Sequence, residues 1–220
     1  MTFQCAAVLF DMDGTLVDST AVVERCWQRW ADRHSLPIED ILRFSHGRPT
    51  LATMEHFRPG QDHAFDAEEM LRAEVSDTDG VVAVAGANAA LLAASGGRWA
   101  VVTSAPRELA EVRLRSAGLP IPAVLVSVEQ LQRGKPDPEG FLRAAELLGV
   151  APADCVVFED TGPGVEAGLR AGMRVVALLT TVPRAQLSCE CAVRDFSDVS
   201  IARRGDGFEI VIRDAAHRRD

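Results

Sequence analysis

Five short runs of consecutive apolar residues constrain the fold of this chain more than any other feature of its sequence. Each run has the length of a β-strand and lacks the alternation of a strand with one solvated face. They cover residues 6–10, 99–103, 123–127, 155–158 and 175–179. Strands buried on both faces are typical of parallel sheets covered by helices. We therefore predict an α/β fold with a doubly wound, Rossmann-like parallel-sheet core.

The interval between the first two runs is the second constraint, because its roughly ninety residues far exceed what a crossover helix requires. Residues 21–36 and 65–75 have the spacing of amphipathic helices. We therefore predict an inserted helical cap domain over residues 19–81, with Trp27 and Trp30 in its core. Residues 1–18 and 82–220 form the predicted catalytic core. Within that core, residues 201–212 predict a terminal hairpin around Gly205 and Gly207.

Charge and hydropathy exclude several function classes. The 220 residues carry a formal net charge of −9 and no long basic run, which argues against nucleic acid or an anionic membrane surface as partner. No stretch reaches the roughly 20 apolar residues of a membrane span, and the first residues lack a signal-peptide pattern. We expect a cytoplasmic protein. The cysteines lack the spacing of a zinc site and are interpreted as buried or incidental thiols.

Two carboxylates follow the first strand directly. The segment Asp11-Met12-Asp13-Gly14-Thr15 lies where ligands of open α/β sheets bind, at the carboxyl end of a buried strand. A calcium loop would need its glycine later and a glutamate further on. Asp77-Thr78-Asp79-Gly80 repeats the Asp-x-Asp-Gly pattern but follows a polar helical segment, so we interpret it as a solvated hinge.

Three further loops carry chemistry next to predicted strands. Thr103 and Ser104 end the second strand, where their hydroxyls suit a phosphate oxygen or, alternatively, cap the helix that starts near Pro106. Lys135 is the only lysine of the chain. Glu159 and Asp160 end another strand. Since the carboxyl ends of parallel strands meet at one edge of the sheet, these side chains should converge on one site.

These motifs, taken in order, resemble those of the haloacid dehalogenase superfamily of phosphohydrolases. The resemblance rests on Asp11-x-Asp13-Gly-Thr, Thr103-Ser104, Lys135-Pro136 and Glu159-Asp160, and it covers nearly the whole chain. The insert is similar to the cap of β-phosphoglucomutase and of small sugar and polyol phosphatases. Segments 46–50 and 133–136 are similar to those of bacterial sugar phosphatases. The resemblance implies a phosphatase acting on a small sugar or polyol phosphate monoester.

The resemblance also implies roles for individual residues. Asp11 would form an aspartyl-phosphate, and Asp13 would act as general acid and then general base. Mg²⁺ would be held by Asp11, the backbone carbonyl of Asp13, and Asp160, with Glu159 bound directly or through water. Substrate contacts would come from two places: Thr103, Ser104 and Lys135 in the core, and His46 and Arg48 on a cap loop.

Other readings stay open at this point. A sugar-phosphate mutase would use the same motifs, with Arg48 available for a second phosphate. A non-catalytic sugar-phosphate binding module is the alternative from a different class. A dehalogenase is disfavoured because Asp13 and Asp160 suit a metal and a phosphate. We expect a monomer or weak homodimer whose cap closes over the site through hinges near residues 18–20 and 79–81.

Overall fold

The computed structural model describes residues 1–213, and its elements follow the order strand, helical segment, alternating strands and helices. The strands are β1 (Thr2–Cys5), β2 (Ala7–Phe10), β3 (Val17–Asp18), β4 (Val82–Ala83), β5 (Arg98–Val102), β6 (Val124–Val126), β7 (Cys155–Glu159), β8 (Arg174–Leu178), β9 (Cys191–Val193), β10 (Val199–Arg204) and β11 (Gly207–Ile212). The α-helices are α1 (Thr20–His34), α2 (Ile38–Ser45), α3 (Thr50–Phe57), α4 (Ala64–Ser76), α5 (Ala87–Ala94), α6 (Arg107–Ser116), α7 (Glu139–Leu148) and α8 (Gly162–Arg170).

Six parallel strands form the central sheet in the order β6-β5-β2-β7-β8-β9. Strand β2 lies between β5 and β7, with Phe10 opposite Val101 and Phe158. The five predicted strands are confirmed as β2, β5, β6, β7 and β8. The short edge strand β9 was not predicted.

Both faces of this sheet are buried, as the continuous apolar runs predicted. Val8 and Phe10 of β2 point into one apolar cluster, whereas Ala7 and Leu9 point into a second cluster on the other face. All four are 0% exposed. Burying a leucine or phenylalanine side chain contributes about 1.5–3 kcal/mol, so each face needs a helical layer. Helices α7 and α8 pack on the second face, and the doubly wound architecture is confirmed.

Helices α1 to α4 lie between β3 and β4, which pair antiparallel as a short ribbon, with Val17 opposite Ala83. The two predicted helices of this segment are confirmed as α1 and α4, while α2 and α3 were not predicted. Trp27 and Trp30 are buried, as expected, with ring centroids 5.4 Å apart in an edge-to-face arrangement. The boundary of the cap at residues 19–81 stays a prediction.

The predicted terminal hairpin is confirmed as β10 and β11, which turn at Gly205, where φ is +58°. Strand β1, which was not predicted, pairs antiparallel with β11 and completes a three-stranded sheet. The predicted core extends to residue 220, and residues 214–220 lie outside the described part. Within residues 1–213, no helix has both the length and the apolar character needed to cross a membrane.

Candidate active site

Most of the predicted site residues line one cleft at the carboxyl edge of the central sheet. Asp11 and Asp13 follow β2, Thr103 and Ser104 follow β5, and Asp160 follows β7. All five side chains line the cleft together with His46 and Arg48 from the loop between α2 and α3. The expected convergence of strand ends is therefore observed.

Lys135 binds two carboxylates beneath this cleft. Its Nζ donates to Asp11 Oδ1 and, at 2.7 Å, to Glu159 Oε1. Burial raises the pKa of Asp11 well above its usual value, and the ammonium of Lys135 opposes that rise. Burial alone would lower the pKa of Lys135, but Asp11 and Glu159 raise it above its ordinary value. Lys135 therefore remains charged and favours the carboxylate form of Asp11.

Glu159 has protein donors on both of its carboxylate oxygens. Oε1 accepts from Lys135, and Oε2 accepts from the backbone N–H groups of Asp160 at 2.6 Å and Thr161 at 2.7 Å. The Thr161 hydroxyl also donates to Oε2, at 3.0 Å. A Cβ at Gly164 would lie 1.6 Å from Oε1, so only glycine fits at this position of α8. Glu159 thus orders the loop after β7 and orients Lys135.

The acidic residues provide a set of oxygen atoms suited to a divalent cation. Carboxylate oxygens of Asp11, Glu159 and Asp160 all lie within 4.8 Å of one another, and the three residues are buried. Asp160 Oδ1 accepts from the Thr15 hydroxyl at 2.9 Å, whereas Oδ2 is buried and makes no hydrogen bond, although the Thr181 hydroxyl lies close enough to stabilise the carboxylate. Burial, followed by repulsion from Glu159, raises the pKa of Asp160 to about 7. A bound cation would satisfy the unpaired oxygen and favour the ionised carboxylates, so these residues fit a metal.

Asp13 points away from that cluster, toward the side of α6. Its Oδ1 accepts from the Ser19 hydroxyl at 2.7 Å, and its Oδ2 accepts from Arg113 Nη1 at 2.8 Å. Arg113 also lies 3.2 Å from Glu74 Oε1 of α4. The sequence interpretation missed Ser19, Glu74 and Arg113. One signal was available, since the buried face of α6 contains an arginine among Leu109, Ala110 and Leu114.

The hydroxyls at the end of β5 do not cap α6. That helix begins after Pro106 and has no side-chain cap, so the capping alternative is wrong. Instead, Thr103 Oγ1 accepts from the backbone N–H of Ala105 at 3.0 Å. Ser104 Oγ donates to the backbone carbonyl of Gly47 at 3.1 Å, which joins this loop to the loop between α2 and α3.

The loop between α2 and α3 supplies one wall of the cleft. Burial lowers the pKa of His46, and a hydrogen bond to the carbonyl of Leu42 opposes that shift. Arg48 donates to the carbonyl of Phe44 at 2.7 Å and lies 4.3 Å above the centroid of its ring. Trp27, for which the sequence favoured the helical core over a role as substrate platform, is buried and also lines the cleft.

Comparison with known proteins gives three strong similarities. Residues 5–172 match the family model described as haloacid dehalogenase-like hydrolase. The chain is 40% identical to hexitol phosphatase A of Escherichia coli (strain K12) over 94% of this chain and 99% of the relative. It is 37% identical to validoxylamine A 7'-phosphate phosphatase of Streptomyces hygroscopicus subsp. limoneus over 87% and 94%.

Solved structures agree with this fold. A hydrolase from Pseudomonas syringae aligns with a TM-score of 0.78 and 25% identity, covering 87% of this chain and 94% of that one. A protein from Thermotoga maritima described as a putative beta-phosphoglucomutase aligns with a TM-score of 0.60 and 28% identity, covering 85% and 93%. Both phosphatase and mutase chemistry therefore occur among the descriptions of similar proteins.

Proposed function

The chain belongs to the haloacid dehalogenase-like hydrolase family, and on that premise we propose that it hydrolyses phosphate monoesters of small sugars or polyols. Two phosphatase relatives above 35% identity support this activity. The observation that carries the mechanism is the contact of Lys135 with both Asp11 and Glu159 at the floor of the cleft. The ammonium of Lys135 offsets the negative charge of the Asp11 carboxylate. A phosphate dianion can therefore approach this nucleophile with less electrostatic repulsion.

In the first half-reaction, the carboxylate of Asp11 attacks phosphorus. A bond forms between a carboxylate oxygen and phosphorus while the bond between phosphorus and the sugar oxygen breaks. Asp13 donates its proton to the leaving alkoxide. Lys135 keeps Asp11 ionised before attack and offsets charge on the phosphoryl oxygens. The products of this step are the free sugar or polyol and an aspartyl-phosphate on Asp11.

In the second half-reaction, water attacks the phosphorus of the aspartyl-phosphate. Asp13, now ionised, accepts a proton from that water, and the bond between Asp11 and phosphorus breaks. Inorganic phosphate leaves, Asp11 returns as a carboxylate, and Asp13 is again protonated. One residue thus serves as acid and then as base, which accounts for a second carboxylate in the same cleft, two residues after the nucleophile.

We assign Mg²⁺ as the cation, with Asp11, the backbone carbonyl of Asp13, and Asp160 as protein ligands. The family generally uses a divalent metal, and the unpaired Oδ2 of Asp160 supports a metal here. When bound, Mg²⁺ would neutralise charge on the nucleophile and the phosphoryl group. Glu159 is less suited to direct ligation because both its oxygens already accept hydrogen bonds. Its role in this proposal is to orient Lys135.

The remaining cleft residues divide between phosphate and substrate recognition. Thr103, Ser104 and Lys135 hold the phosphoryl oxygens, and His46 and Arg48 select the sugar or polyol. Ser104 must then exchange its contact with Gly47 for one with phosphate. Residues 19–81 act as a cap that closes over the substrate, with motion at the ribbon of β3 and β4.

We also propose the partner, location and oligomeric state of the enzyme. Its partner is a small phosphorylated sugar or polyol, without nucleic acid or membrane, and it works in the cytoplasm as a monomer or weak homodimer. Light scattering would measure the oligomeric state, and cell fractionation the location. A stable higher oligomer or a membrane-associated fraction would contradict this part of the proposal.

The test is phosphate release from a panel of hexitol, hexose and glycerol monophosphates, with Mg²⁺ or with chelator. Native protein should release phosphate only with metal, and Asp11→Asn should abolish release. Asp79→Asn is a matched control, because Asp79 belongs to the second Asp-x-Asp-Gly segment and does not line the cleft. Release that survives Asp11→Asn would contradict the nucleophile assignment.

A sugar-phosphate mutase is the second candidate, and the similarity to the putative beta-phosphoglucomutase supports it. Arg48 in the cleft wall is the residue that would hold a second phosphate. Isomer formation that depends on a bisphosphate, with little free phosphate, would identify this activity. Binding of sugar phosphates without any turnover would instead identify a binding module.

A further inference from the structure

A cluster of three charged side chains lies at the side of the cleft, behind Asp13. Arg113 of α6 contacts Asp13 Oδ2 at 2.8 Å and Glu74 Oε1 at 3.2 Å. The side chains of Arg113 and Glu74 are only 5% and 8% exposed, whereas that of Asp13 is 30% exposed. Asp13 is therefore the member of the cluster that opens most to the cleft, and the other two support it from below.

Arg113 is the more rigid of the two donors that hold Asp13. The Ser19 hydroxyl reaches Oδ1 and rotates about a single bond, whereas the guanidinium reaches Oδ2 from a planar, buried group. Arg113 lies on the buried face of α6 beside Leu109 and Leu114, which restricts its movement. Donors from α6 and from the residue before α1 thus fix the plane of the Asp13 carboxylate.

Glu74 determines where Arg113 can lie. It belongs to α4, which packs against α6, and it is the second carboxylate that contacts this guanidinium. Burial raises the pKa of Glu74, and the positive charge of Arg113 opposes that rise. A buried guanidinium between two carboxylates from different elements cannot shift toward one without lengthening its contact with the other. Arg113 therefore connects Glu74 of α4 with Asp13.

We propose that Arg113 is a positioning residue for proton transfer, which orients the Asp13 carboxyl group toward the leaving oxygen while Glu74 holds Arg113 in place. This inference rests on the proposed function, because it concerns the acid–base residue of that reaction. The proton passes from Asp13 to the oxygen that departs from phosphorus. Arg113 does not touch the substrate in this step. It acts only by setting the direction in which Asp13 donates its proton.

Dependence on the leaving group tests this inference. An alkyl phosphate releases a strongly basic alkoxide that needs a proton, whereas p-nitrophenyl phosphate releases a phenolate that needs none at neutral pH. We would measure kcat/KM for a hexitol monophosphate and for p-nitrophenyl phosphate with native protein, Arg113→Met, Arg113→Lys, and Arg115→Met. Arg115 is an exposed arginine of the same helix and provides the control.

For Arg113→Met, we expect kcat/KM for the hexitol monophosphate, divided by kcat/KM for p-nitrophenyl phosphate, to fall at least tenfold. We expect partial recovery in Arg113→Lys and no change in Arg115→Met. A loss shared equally by both substrates, or no loss, would overturn the inference, since a purely structural role would affect both alike. If native protein releases phosphate from no sugar or polyol monophosphate, the proposed function itself has failed.

Removing Arg113 leaves Glu74 buried without its cation, so the single variant Arg113→Met could lose activity through misfolding. The double variant Glu74→Gln/Arg113→Met removes both charges and keeps similar side-chain volumes. Near-ultraviolet circular dichroism would test whether this variant retains tertiary structure. The same tenfold fall in the substrate ratio is expected for the double variant, and an unchanged ratio there would also overturn the inference.

Discussion

The ammonium of Lys135 donates to Glu159 Oε1 at 2.7 Å, and both side chains are almost completely buried. The same ammonium contacts Asp11, so one cation serves two buried carboxylates. Glu159 receives its remaining hydrogen bonds from its own loop. In the proposed mechanism, stability and nucleophile activation therefore depend on a single side chain.

Lys135→Met should reduce both activity and stability. The substitution leaves two buried carboxylates without their cation, which costs about 3–5 kcal/mol when one partner of a buried pair is removed. Loss of the charge beside the phosphoryl group should lower kcat by about 100- to 1000-fold. Urea unfolding and phosphate release measure the two effects. Arg133→Met, at an exposed position two residues earlier, should change stability by less than about 0.5 kcal/mol.

Asp160→Asn and Glu159→Gln should separate metal binding from loop order. Asp160 has an oxygen without a donor, whereas both oxygens of Glu159 are engaged by the protein. We expect Asp160→Asn to raise the Mg²⁺ concentration for half-maximal activity by at least about tenfold. Glu159→Gln should mainly lower the unfolding midpoint. A larger change in Mg²⁺ requirement for Glu159→Gln than for Asp160→Asn would contradict this division of roles.

Gly164→Ala should destabilise the protein through a direct clash. The added Cβ would lie 1.6 Å from Glu159 Oε1, so either α8 or Glu159 must move. We expect a loss of at least about 2 kcal/mol in the free energy of unfolding, measured in urea. Gly162→Ala is the matched control, because its Cβ would meet its nearest neighbour, the carbonyl of Gln186, at 3.5 Å. Equal losses in the two variants would contradict the clash.

His46 should make stability decrease in acid. Burial lowers the pKa of His46 in the folded protein below its unfolded value of about 6.5. The unfolded chain therefore takes up a proton more readily than the folded protein. The contribution of neutral His46 to the free energy of unfolding is fully present above about pH 6.5 and declines as the pH falls below that value. His46→Gln should flatten that part of the pH dependence in urea unfolding.

The exposed His56 provides the comparison for that measurement. His56→Gln should retain the native pH dependence in the same range. A titration of the His46 ring by NMR would give its pKa directly. A midpoint at or above 6.5 in the folded protein would show that burial does not depress it.

The sequence predicted the central sheet because its strands are continuous apolar runs, and it predicted the terminal hairpin from glycines between two strand-like segments. Strand β1 was not predicted because it has only four residues, of which Thr2 and Gln4 are exposed, and so does not form a continuous apolar run. Strand β9 has three residues and little room for a pattern. Helices α2 and α3 have only eight residues each, and α3 also lacks a clear separation of polar and apolar faces.

The site was predictable where residues follow strands, as Asp11, Asp13 and Asp160 do, because parallel strands bring their carboxyl ends together. Arg113 and Glu74 lie within helices, and nothing in local spacing indicates that they meet. Their contact depends on how α4 packs against α6, which is a property of tertiary structure. The engagement of Glu159 Oε1 likewise depends on Lys135, 24 residues away in the chain.

The pairing of β3 with β4 has a consequence for how such a chain can diversify. Val17 lies opposite Ala83 and Asp18 opposite Val82, so the backbone leaves the sheet region and returns to it at neighbouring positions. Stretches that begin and end side by side can be exchanged or lengthened without displacing their surroundings. Evolution could thus change what is recognised by replacing the stretch between these strands, while the strand that carries Asp11 stays in register with its neighbours.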